Sequence, residues 1–227
     1  MRSPRSGEPG GSFLIRVLAR WFRRSGPRAT GRWVVVDTET SGLDPETDRL
    51  LGIGAVAVDG DGIQPDDSFE VVLGGDPAGD AANIVVHGIG HGAQREGMPG
   101  PEALAAFRAW AADAPLVAFH ADFDRAVLRR AYAGAGMPTA EAPWLDLAPL
   151  AAALVPKAAR YGGHSLDDWL AVFGIECTIR HNAAADALAT AELLLRLRAL
   201  AAGEGAQGFT ALQKIARQKK WLQGSGG

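Results

Sequence analysis

Five residues that can bind divalent cations or transfer protons recur in three short segments. Asp37 and Glu39 lie in Val-Val-Val-Asp-Thr-Glu-Thr-Ser-Gly-Leu, Asp124 lies in Ala-Phe-His-Ala-Asp-Phe-Asp, and His181 and Asp186 lie in Arg-His-Asn-Ala-Ala-Ala-Asp-Ala. Carboxylate oxygens suit hard divalent cations, and a pair of such ions can activate water and stabilise a departing oxygen. An imidazole that titrates near neutral pH can take the proton of that water. The combination predicts metal-dependent hydrolysis.

Each of these residues, taken singly, has a simpler structural explanation. An aspartate at a strand end is commonly a turn residue, Asp124 could cap a helix, and Asp186 could interact with a helix dipole. His181 alone would more often be a surface or capping residue. The prediction of a metal site therefore depends on the combination and on a fold that brings the segments together.

The order of the predicted elements indicates a mixed α/β sheet with helices on its faces. Three apolar, β-branched runs joined by turn signals predict an antiparallel meander, at Trp33–Thr38, Leu50–Val58 and Phe69–Leu73. After an irregular, Gly-rich stretch at 74–100, helices and short strands alternate. Helices are predicted at 101–112, 123–133, 165–173, 183–202 and 208–222, and strands at 116–119 and 144–147.

The predicted elements would gather three carboxylates. Asp37 and Glu39 are two residues apart in the first strand, so both side chains point to the same face. Asp186 lies near the start of the long helix over 183–202, and a helix start can face a strand end. Three carboxylates left without a cation would repel one another and destabilise the fold, so a bound cation is the natural solution.

Composition sets limits on the class of protein. Hydrophobic residues make up 47% and charged residues 22% of 227 residues, which is typical of a soluble globular protein. Cys177 is the only cysteine, so an intramolecular disulfide is excluded. No apolar run reaches the roughly 18 residues that span a bilayer, and no signal peptide is apparent. These features favour a cytoplasmic protein without a membrane span.

The chain divides into a predicted domain at 31–202, a basic extension at 1–30 and a tail at 203–227 with a basic helix. The extension carries seven Arg against one Glu, a net charge of +6, while the whole chain carries -3. Its segment 12–24 has the pattern of a short basic amphipathic helix. This helix could pack on the domain, or it could contact nucleic acid, a membrane surface or a docking partner.

The three segments resemble the motifs of the DnaQ-like 3′→5′ exonucleases, the DEDDh branch of the ribonuclease H-like fold. Asp-x-Glu-Thr-x-Gly matches residues 37–42, the second motif matches Phe123-Asp124, and the third matches His181 through Asp186-Ala-Leu-Ala-Thr-Ala191. The resemblance covers about 32–202. Three motifs in order at the usual spacing form a specific signal.

The resemblance implies two Mg²⁺ or Mn²⁺ ions and assigns roles to individual residues. Asp37, Glu39 and Asp186 would bind the first ion, Asp37 would also reach the second, and Asp124 would help to hold it. His181 would be the general base. Four further residues would contact the terminal nucleotide, namely Thr38, Thr40, Leu43 and His120.

Two positions depart from the family pattern, and other histidines carry weaker signals. His120 stands where relatives often have Asn, and it could contact a phosphate or fill a packing slot. Gly52 stands where many relatives have Glu, which affects substrate contacts but removes no metal ligand. His87 and His91 are four apart, but the glycines around them argue against a helical zinc pair. His164 follows two glycines and is assigned to a loop.

The resemblance implies a nucleic-acid 3′ end as substrate, with DNA favoured because the third motif is most similar to the proofreading group. Trimming of short RNA or RNA 3′ ends remains an alternative, since contacts to the 2′-OH are not visible in motifs. A catalytically vestigial binding module on the same fold is a second alternative, which the intact set of five residues disfavours. A polymerase subunit as partner and a homodimer both remain open.

Overall fold

The computed structural model describes residues 31–76, 88–139, 142–161, 165–177 and 179–224. The strands are β1 Trp33–Thr40, β2 Leu50–Asp59, β3 Gly62–Gly74, β4 Met98–Pro99, β5 Leu116–Ala118 and β6 Trp144–Asp146. The helices are α1 His91–Glu96, α2 Gly100–Ala111, α3 Ala121–Gly134, α4 Leu147–Leu154, α5 Pro156–Tyr161, α6 Leu166–Phe173, α7 Ala183–Gly203 and α8 Gly208–Gly224.

The strands form one six-stranded sheet in the order β4-β3-β2-β1-β5-β6. Strands β1, β2 and β3 are antiparallel neighbours, whereas β5 is parallel to β1 and β6 is parallel to β5. This is the mixed sheet with flanking helices that the order of elements predicted, so the fold class is confirmed.

Strand β1 is buried on both faces and separates two hydrophobic cores. Trp33 and Val35 pack on one face with residues of α4, α6, α7 and α8. Val34 and Val36 pack on the other face with residues of α2 and α3. This double burial explains why the strand is a continuous apolar run rather than an alternating one.

Strand β3 begins earlier than the sequence predicted. It starts at Gly62, directly after the β2–β3 hairpin, instead of at Phe69. The pairing with β2 shifts from Ser68 to Gln64, which leaves the residues 65–67 as a bulge in the strand. Pro65 cannot donate to a ladder, and the bulge accommodates it and the two acids after it within the strand.

Two other segments also differ from the prediction. The stretch at 74–100 was predicted to be irregular, but its described part contains α1 and the short strand β4. Helices α4 and α5, which follow β6 directly, were not predicted. The side chain of Asp146 caps α4 by accepting a hydrogen bond from the Ala148 N–H at 3.0 Å. Pro149 lies in the first turn of α4, where its missing N–H has no intrahelical acceptor to lose.

The helix before the third motif was predicted accurately because its signals are local. Ser165 caps α6 in a reciprocal capping box with Asp168, and Gly174 ends the helix with a φ of 61°. The predicted amphipathic segment in 1–30, His87 and His164 lie outside the described residues. Within the described part of the chain, no helix is both long and apolar enough to cross a membrane.

Candidate active site

Three carboxylates converge where the end of β1 meets the start of α7. Asp37, Glu39 and Asp186 each offer an oxygen, and these oxygens lie within 4.8 Å of one another. Asp37 pairs with Gly54 of β2, and the Cβ position of Gly54 faces the start of α7. Glu39 is two residues after Asp37 in the strand, so both carboxylates lie on the side of the sheet that faces α7. The predicted grouping of these three residues therefore holds in the structure.

Helix α7 can approach the sheet closely because Gly54 has no side chain. A Cβ atom on Gly54 would lie 2.1 Å from the carbonyl carbon of Ala183, the first residue of the helix. Asn182 caps the helix by accepting a hydrogen bond from the Ala185 N–H at 3.0 Å. Asp186 then lies in the first turn of α7, directed toward the carboxylates of β1.

Asp124 enters the site from the first turn of α3. It is 5% exposed, and its Oδ1 accepts a hydrogen bond from the Thr38 hydroxyl at 2.8 Å. Asp124 is not part of the group formed by Asp37, Glu39 and Asp186, but its charge contributes to raising the pKa of Asp37. The structure thus places all four predicted carboxylates in one electrostatic cluster.

The cluster raises the pKa values of its carboxyl groups. Burial, followed by the charges of Asp186 and Asp124, raises the pKa of Glu39 to about 7. Burial raises the pKa of Asp124 to about 7, although the hydrogen bond from Thr38 acts in the opposite direction. The pKa of Asp37 lies well above its usual value because of burial and the neighbouring carboxylates. Buried carboxyl groups whose pKa values are raised in this way, as those of Asp37, Glu39 and Asp124 are, are suited to bind cations.

One oxygen of Glu39 supports this interpretation independently. Among the described residues, Glu39 Oε1 is buried and has no hydrogen-bond partner. A buried carboxylate oxygen without a donor is costly unless a cation or a proton satisfies it. The donor set consists of carboxylates, which hard divalent cations prefer over soft ones. The residues present therefore fit a divalent metal ion.

Arg180 is a residue of the site that the sequence analysis missed. Its guanidinium forms ion pairs with Oδ1 of Asp186 and with Oδ1 of Asp167 in α6. Burial acts to lower the pKa of Arg180, but the hydrogen bonds to Asp167 and Asp186 outweigh it. The pKa of Arg180 is therefore raised above its usual value. The only signal in the sequence was its position next to His181, and nothing in that position predicts the ion pair.

His181 precedes α7 in a left-handed backbone conformation, with a φ of 58°. Its N–H donates a hydrogen bond to Oδ2 of Asp186 at 3.0 Å, and its imidazole is exposed. The backbone of His181 is therefore held by a carboxylate of the cluster, while its side chain faces solvent beside that cluster. Its role as general base stays a prediction.

The last residue of β1 and the loop after it hold two of the residues predicted to contact substrate, Thr40 and Leu43. The Thr40 hydroxyl donates to the Gly42 carbonyl at 2.6 Å, and Leu43 is 92% exposed. Asp48 fixes the loop by accepting hydrogen bonds from the Ser41 hydroxyl and the Asp44 N–H. An apolar side chain on a fixed loop is available to a base, whereas the Thr40 hydroxyl is already engaged as a donor.

His120 caps α3 in a left-handed conformation, with a φ of 58° and a ψ of 47°. Its N–H donates to Oδ1 of Asp146 at 3.1 Å, and its ring contacts Phe119 edge-on at 4.6 Å between centroids. The residue is exposed at the carboxyl end of β5. Of the two alternatives for His120, the exposed position favours a contact with substrate over a packing role.

Gly52 lies opposite Glu39 in the β1–β2 pairing. A Cβ on Gly52 would approach Ile89 Cδ1 to 3.1 Å and Glu39 Cβ to 3.5 Å. A larger side chain here would require Ile89 to move. This segment is held to the sheet by Gln94, which accepts from Arg49 at 3.0 Å and donates to the Ile89 carbonyl at 3.2 Å. Glycine at position 52, where many relatives have Glu, thus leaves room for the segment at 88–90 to approach the sheet closely.

Comparison with protein families identifies one family model that matches most of the chain. The model RNase_T, described as "Exonuclease", matches residues 34–194. The chain is 33% identical over 176 residues to the DNA polymerase III PolC-type protein of Bacillus subtilis (strain 168). That alignment covers 77% of this chain but only 12% of the relative.

A second relative is also named a DNA polymerase III protein, and a solved structure shares the fold. The chain is 34% identical over 168 residues to the DNA polymerase III subunit epsilon-like protein of Rhodobacter capsulatus, covering 73% of this chain and 23% of that protein. A crystal structure of E. coli exonuclease I in complex with a dT13 oligonucleotide matches with a TM-score of 0.64 and 17% identity, over 76% of this chain and 42% of that one. At this identity the likeness shows the fold.

Proposed function

This chain belongs to the exonuclease family whose model it matches over residues 34–194, and we propose that it is a metal-dependent 3′→5′ exonuclease. It removes 5′-mononucleotides from single-stranded or mispaired DNA 3′ ends, in proofreading or repair. The observation that carries the proposal is the convergence of Asp37, Glu39 and Asp186, with Asp124 adjacent, at the end of β1.

Two divalent ions, Mg²⁺ or Mn²⁺, would be held by the four carboxylates. Asp37, Glu39 and Asp186 would hold one ion, and Asp124, together with Asp37, would help to hold the other. When bound, such ions lower the pKa of water and stabilise the developing charge on the attacking and leaving oxygens. The unpartnered Oε1 of Glu39 and the raised pKa values in the cluster support this assignment.

His181 is the general base. The exposed imidazole takes a proton from the attacking water, and the hydroxide attacks the phosphorus of the terminal nucleotide. The bond between that phosphorus and the 3′ oxygen of the preceding nucleotide breaks, which releases a 5′-mononucleotide and leaves a 3′-hydroxyl on the strand. The hydrogen bond from the His181 N–H to Asp186 fixes the base relative to one carboxylate.

The terminal nucleotide contacts three of the four residues that were predicted to bind it. Leu43, which is 92% exposed, packs against the terminal base, and His120 contacts a phosphate. Thr40 contacts the nucleotide through its backbone, since its hydroxyl is bound to Gly42. Thr38 acts differently from the others, because its hydroxyl positions Asp124 at 2.8 Å.

DNA is the proposed substrate, and the names of relatives support it. Two relatives are named as DNA polymerase III proteins, and the structural neighbour was solved with a DNA oligonucleotide. The chain spans 12% of the first relative and 23% of the second. A polymerase subunit as partner and a cytoplasmic location are therefore also part of the proposal. Trimming of RNA 3′ ends is the alternative that the test below includes.

The experiment is degradation of 5′-labelled oligonucleotides by the full chain. Single-stranded, recessed and mispaired DNA are compared with RNA of the same sequence, with Mg²⁺, with Mn²⁺ and with EDTA. We expect metal-dependent release of 5′-mononucleotides from the 3′ end, fastest on single-stranded or mispaired DNA. Preferred hydrolysis of RNA would replace the DNA assignment by the exoribonuclease alternative.

Matched variants separate the metal site from the base. Asp37→Asn keeps the shape of the side chain and removes its charge, so metal binding and activity should both fall. His181→Asn should lower kcat by about 10²- to 10⁴-fold with metal binding intact, as expected when a general base is removed. Metal binding without hydrolysis of any polymer by the wild-type chain would instead indicate a vestigial binding module.

A further inference from the structure

Helix α8 concentrates positive charge in a chain that is acidic overall. Its sequence, Gly-Phe-Thr-Ala-Leu-Gln-Lys-Ile-Ala-Arg-Gln-Lys-Lys-Trp-Leu-Gln-Gly, contains three Lys and one Arg and no acid, whereas the whole chain carries -3. A solvated basic face is the simplest explanation of such a helix. The position of α8 relative to the carboxylate cluster indicates that this basic face also has a role in binding.

The helix runs from the end of the sheet that is remote from the cluster to the end where the cluster lies. Phe209 contacts Trp33, the first residue of β1, with 5.3 Å between ring centroids. Gln213 donates to the carbonyl of Trp144, the first residue of β6, at 2.9 Å. Strands β1, β5 and β6 are parallel, so successive turns of α8 advance toward their carboxyl ends.

The far end of α8 is tied to the helix that carries Asp124. Lys220 forms an ion pair with Asp122, which lies in the first turn of α3, two residues before Asp124. Lys220 and His120 both act to lower the pKa of Asp146, which burial raises, so these groups lie close together at the carboxyl end of β6. Lys220, Asp122 and His120 are all exposed, so this corner faces solvent.

One face of α8 presents cations and an indole to solvent. Lys214, Arg217 and Trp221 are exposed and are spaced three and four residues apart, which places them in one stripe along the helix. Trp221 is 70% exposed. Leu212 and Ala216, on the opposite face, are buried in the core. The helix is therefore held by its apolar face, and the stripe faces outward.

We propose that this stripe of Lys214, Arg217 and Trp221 binds the single strand upstream of the 3′ end that enters the carboxylate cluster. The inference rests on the proposed exonuclease function. Cations that neutralise phosphates, with an aromatic side chain on which a base stacks, form the combination that binds single strands without sequence preference. Such a surface compensates for the acidic character of the rest of the chain and guides the strand toward the site.

The ion pair of Lys220 fits this role. Asp122 is an exposed acid near the point where the strand would leave the cluster, and its charge would repel phosphates. Pairing with Lys220 neutralises that charge. The cations of the stripe, Lys214 and Arg217, are thereby left for the strand, while Lys220 is engaged by Asp122.

The test measures binding of the full chain to a 5′-labelled oligothymidylate of about 15 nucleotides, in EDTA so that nothing is hydrolysed, over a range of salt concentrations. Lys214→Gln/Arg217→Gln is compared with Arg196→Gln, which removes one exposed cation from α7. We expect the double variant to bind roughly 10- to 30-fold more weakly near 0.1 M salt, with the slope of log affinity against log salt smaller by about 1.4. The Arg196→Gln variant should bind as the wild type does.

Trp221→Leu tests the stacking part of the proposal separately. It should weaken binding of the oligonucleotide by roughly tenfold with little change in the salt slope. Equal binding by wild type and all stripe variants, with unchanged salt slopes, would overturn the inference.

A small substrate distinguishes failure of this inference from failure of the proposed function. The p-nitrophenyl ester of thymidine 5′-monophosphate has no upstream strand, so the stripe variants should hydrolyse it at the wild-type rate. On the long oligonucleotide they should raise KM and leave kcat unchanged. A wild-type chain that binds the strand through the stripe but hydrolyses neither substrate would contradict the proposed function alone.

Discussion

Gly54 of β2 lies against Ala183, the first residue of α7, so closely that a Cβ on Gly54 would stand 2.1 Å from the Ala183 carbonyl carbon. The nearby atoms are backbone, which cannot swing aside as a flexible side chain can. The contact sets the height of α7 above the sheet and hence the distance of Asp186 from Asp37. A glycine in a strand, which has no chemistry of its own, thus controls the geometry of the carboxylate cluster.

Gly54→Ala should therefore disrupt the site. The added methyl group must push the start of α7 away from β2, which separates Asp186 from the carboxylates of β1. We expect kcat/KM to fall by about 10²-fold or more, as for other displacements of about 1 Å in active sites. The matched control is Gly60→Ala in the β2–β3 turn, where a Cβ would meet nothing within 4 Å and activity should not change. Metal titrations of both variants would locate the loss at the cluster.

Thr38→Val should shift the pH dependence of the reaction. The hydroxyl of Thr38 donates to Asp124 at 2.8 Å and lowers the pKa of that carboxyl, against the larger effect of burial. Without the hydroxyl, the pKa of Asp124 rises above about 7, so the acid limb of the profile moves to higher pH. We expect roughly a tenfold loss of kcat/KM near pH 7 that is partly recovered near pH 8.5. Thr38→Ser keeps the donor and should retain the wild-type profile.

The stability of the metal-free chain should fall as the pH rises toward neutrality. The pKa of Glu39 is raised from its usual 4.5 to about 7, so between these values the folded chain binds more protons than the unfolded chain. The free energy of unfolding then decreases with increasing pH across that window. In EDTA, we expect calorimetry to show a decrease in Tm of about 2–4 °C between pH 5 and 7.5 that is smaller in Glu39→Gln.

Added Mg²⁺ or Mn²⁺ should reverse this trend. Cations bind the ionised carboxylates, so they compete with protons and stabilise the folded chain more strongly at higher pH. The increase in Tm on adding metal should therefore grow from pH 5 to pH 8. An increase that is independent of pH, or equal in wild type and Glu39→Gln, would exclude the cluster as the site of binding.

Arg180→Gln should alter the metal requirement in opposite directions at high and low pH. Its guanidinium pairs with Asp186 and so competes with a cation for that carboxylate. Near pH 8.5, its removal should lower the Mn²⁺ concentration for half-maximal activity by roughly three- to tenfold. Arg180 also acts to lower the pKa values of Asp37 and Glu39, so near pH 6 its removal should raise that concentration. Arg180→Lys, which retains the charge, should show neither effect.

The parts of the fold that the sequence predicted are those with local signals. Ser165 and Gly174 delimit α6 because a capping box and a left-handed glycine act within one turn. Helix α4 was missed because Pro149 interrupts an Ala- and Leu-rich run, although proline is tolerated in a first turn. Asp146, followed by such a run, was the signal that could have revealed the helix.

The sequence predicted which carboxylates form the site, but it did not predict the contacts that hold them in place. Period-2 spacing was sufficient to place Asp37 and Glu39 on one face of β1. The ion pairs of Arg180 and the contact of Gly54 with Ala183 join residues that are far apart in the sequence, so they depend on tertiary packing. No local pattern encodes such contacts. The predicted role of His181 is tested by His181→Asn, and the roles of His120 and Leu43 stay predictions.

The left-handed backbone of His181 makes this position suitable for chemical complementation. At a φ of 58° a glycine is less strained than any residue with a Cβ, so His181→Gly should delete the imidazole without weakening the start of α7. The exposed side chain would leave an opening that free imidazole can enter from solvent. Restoration of hydrolysis in proportion to added imidazole, with a rate that follows the pKa of substituted imidazoles, would measure the extent of proton transfer in the transition state.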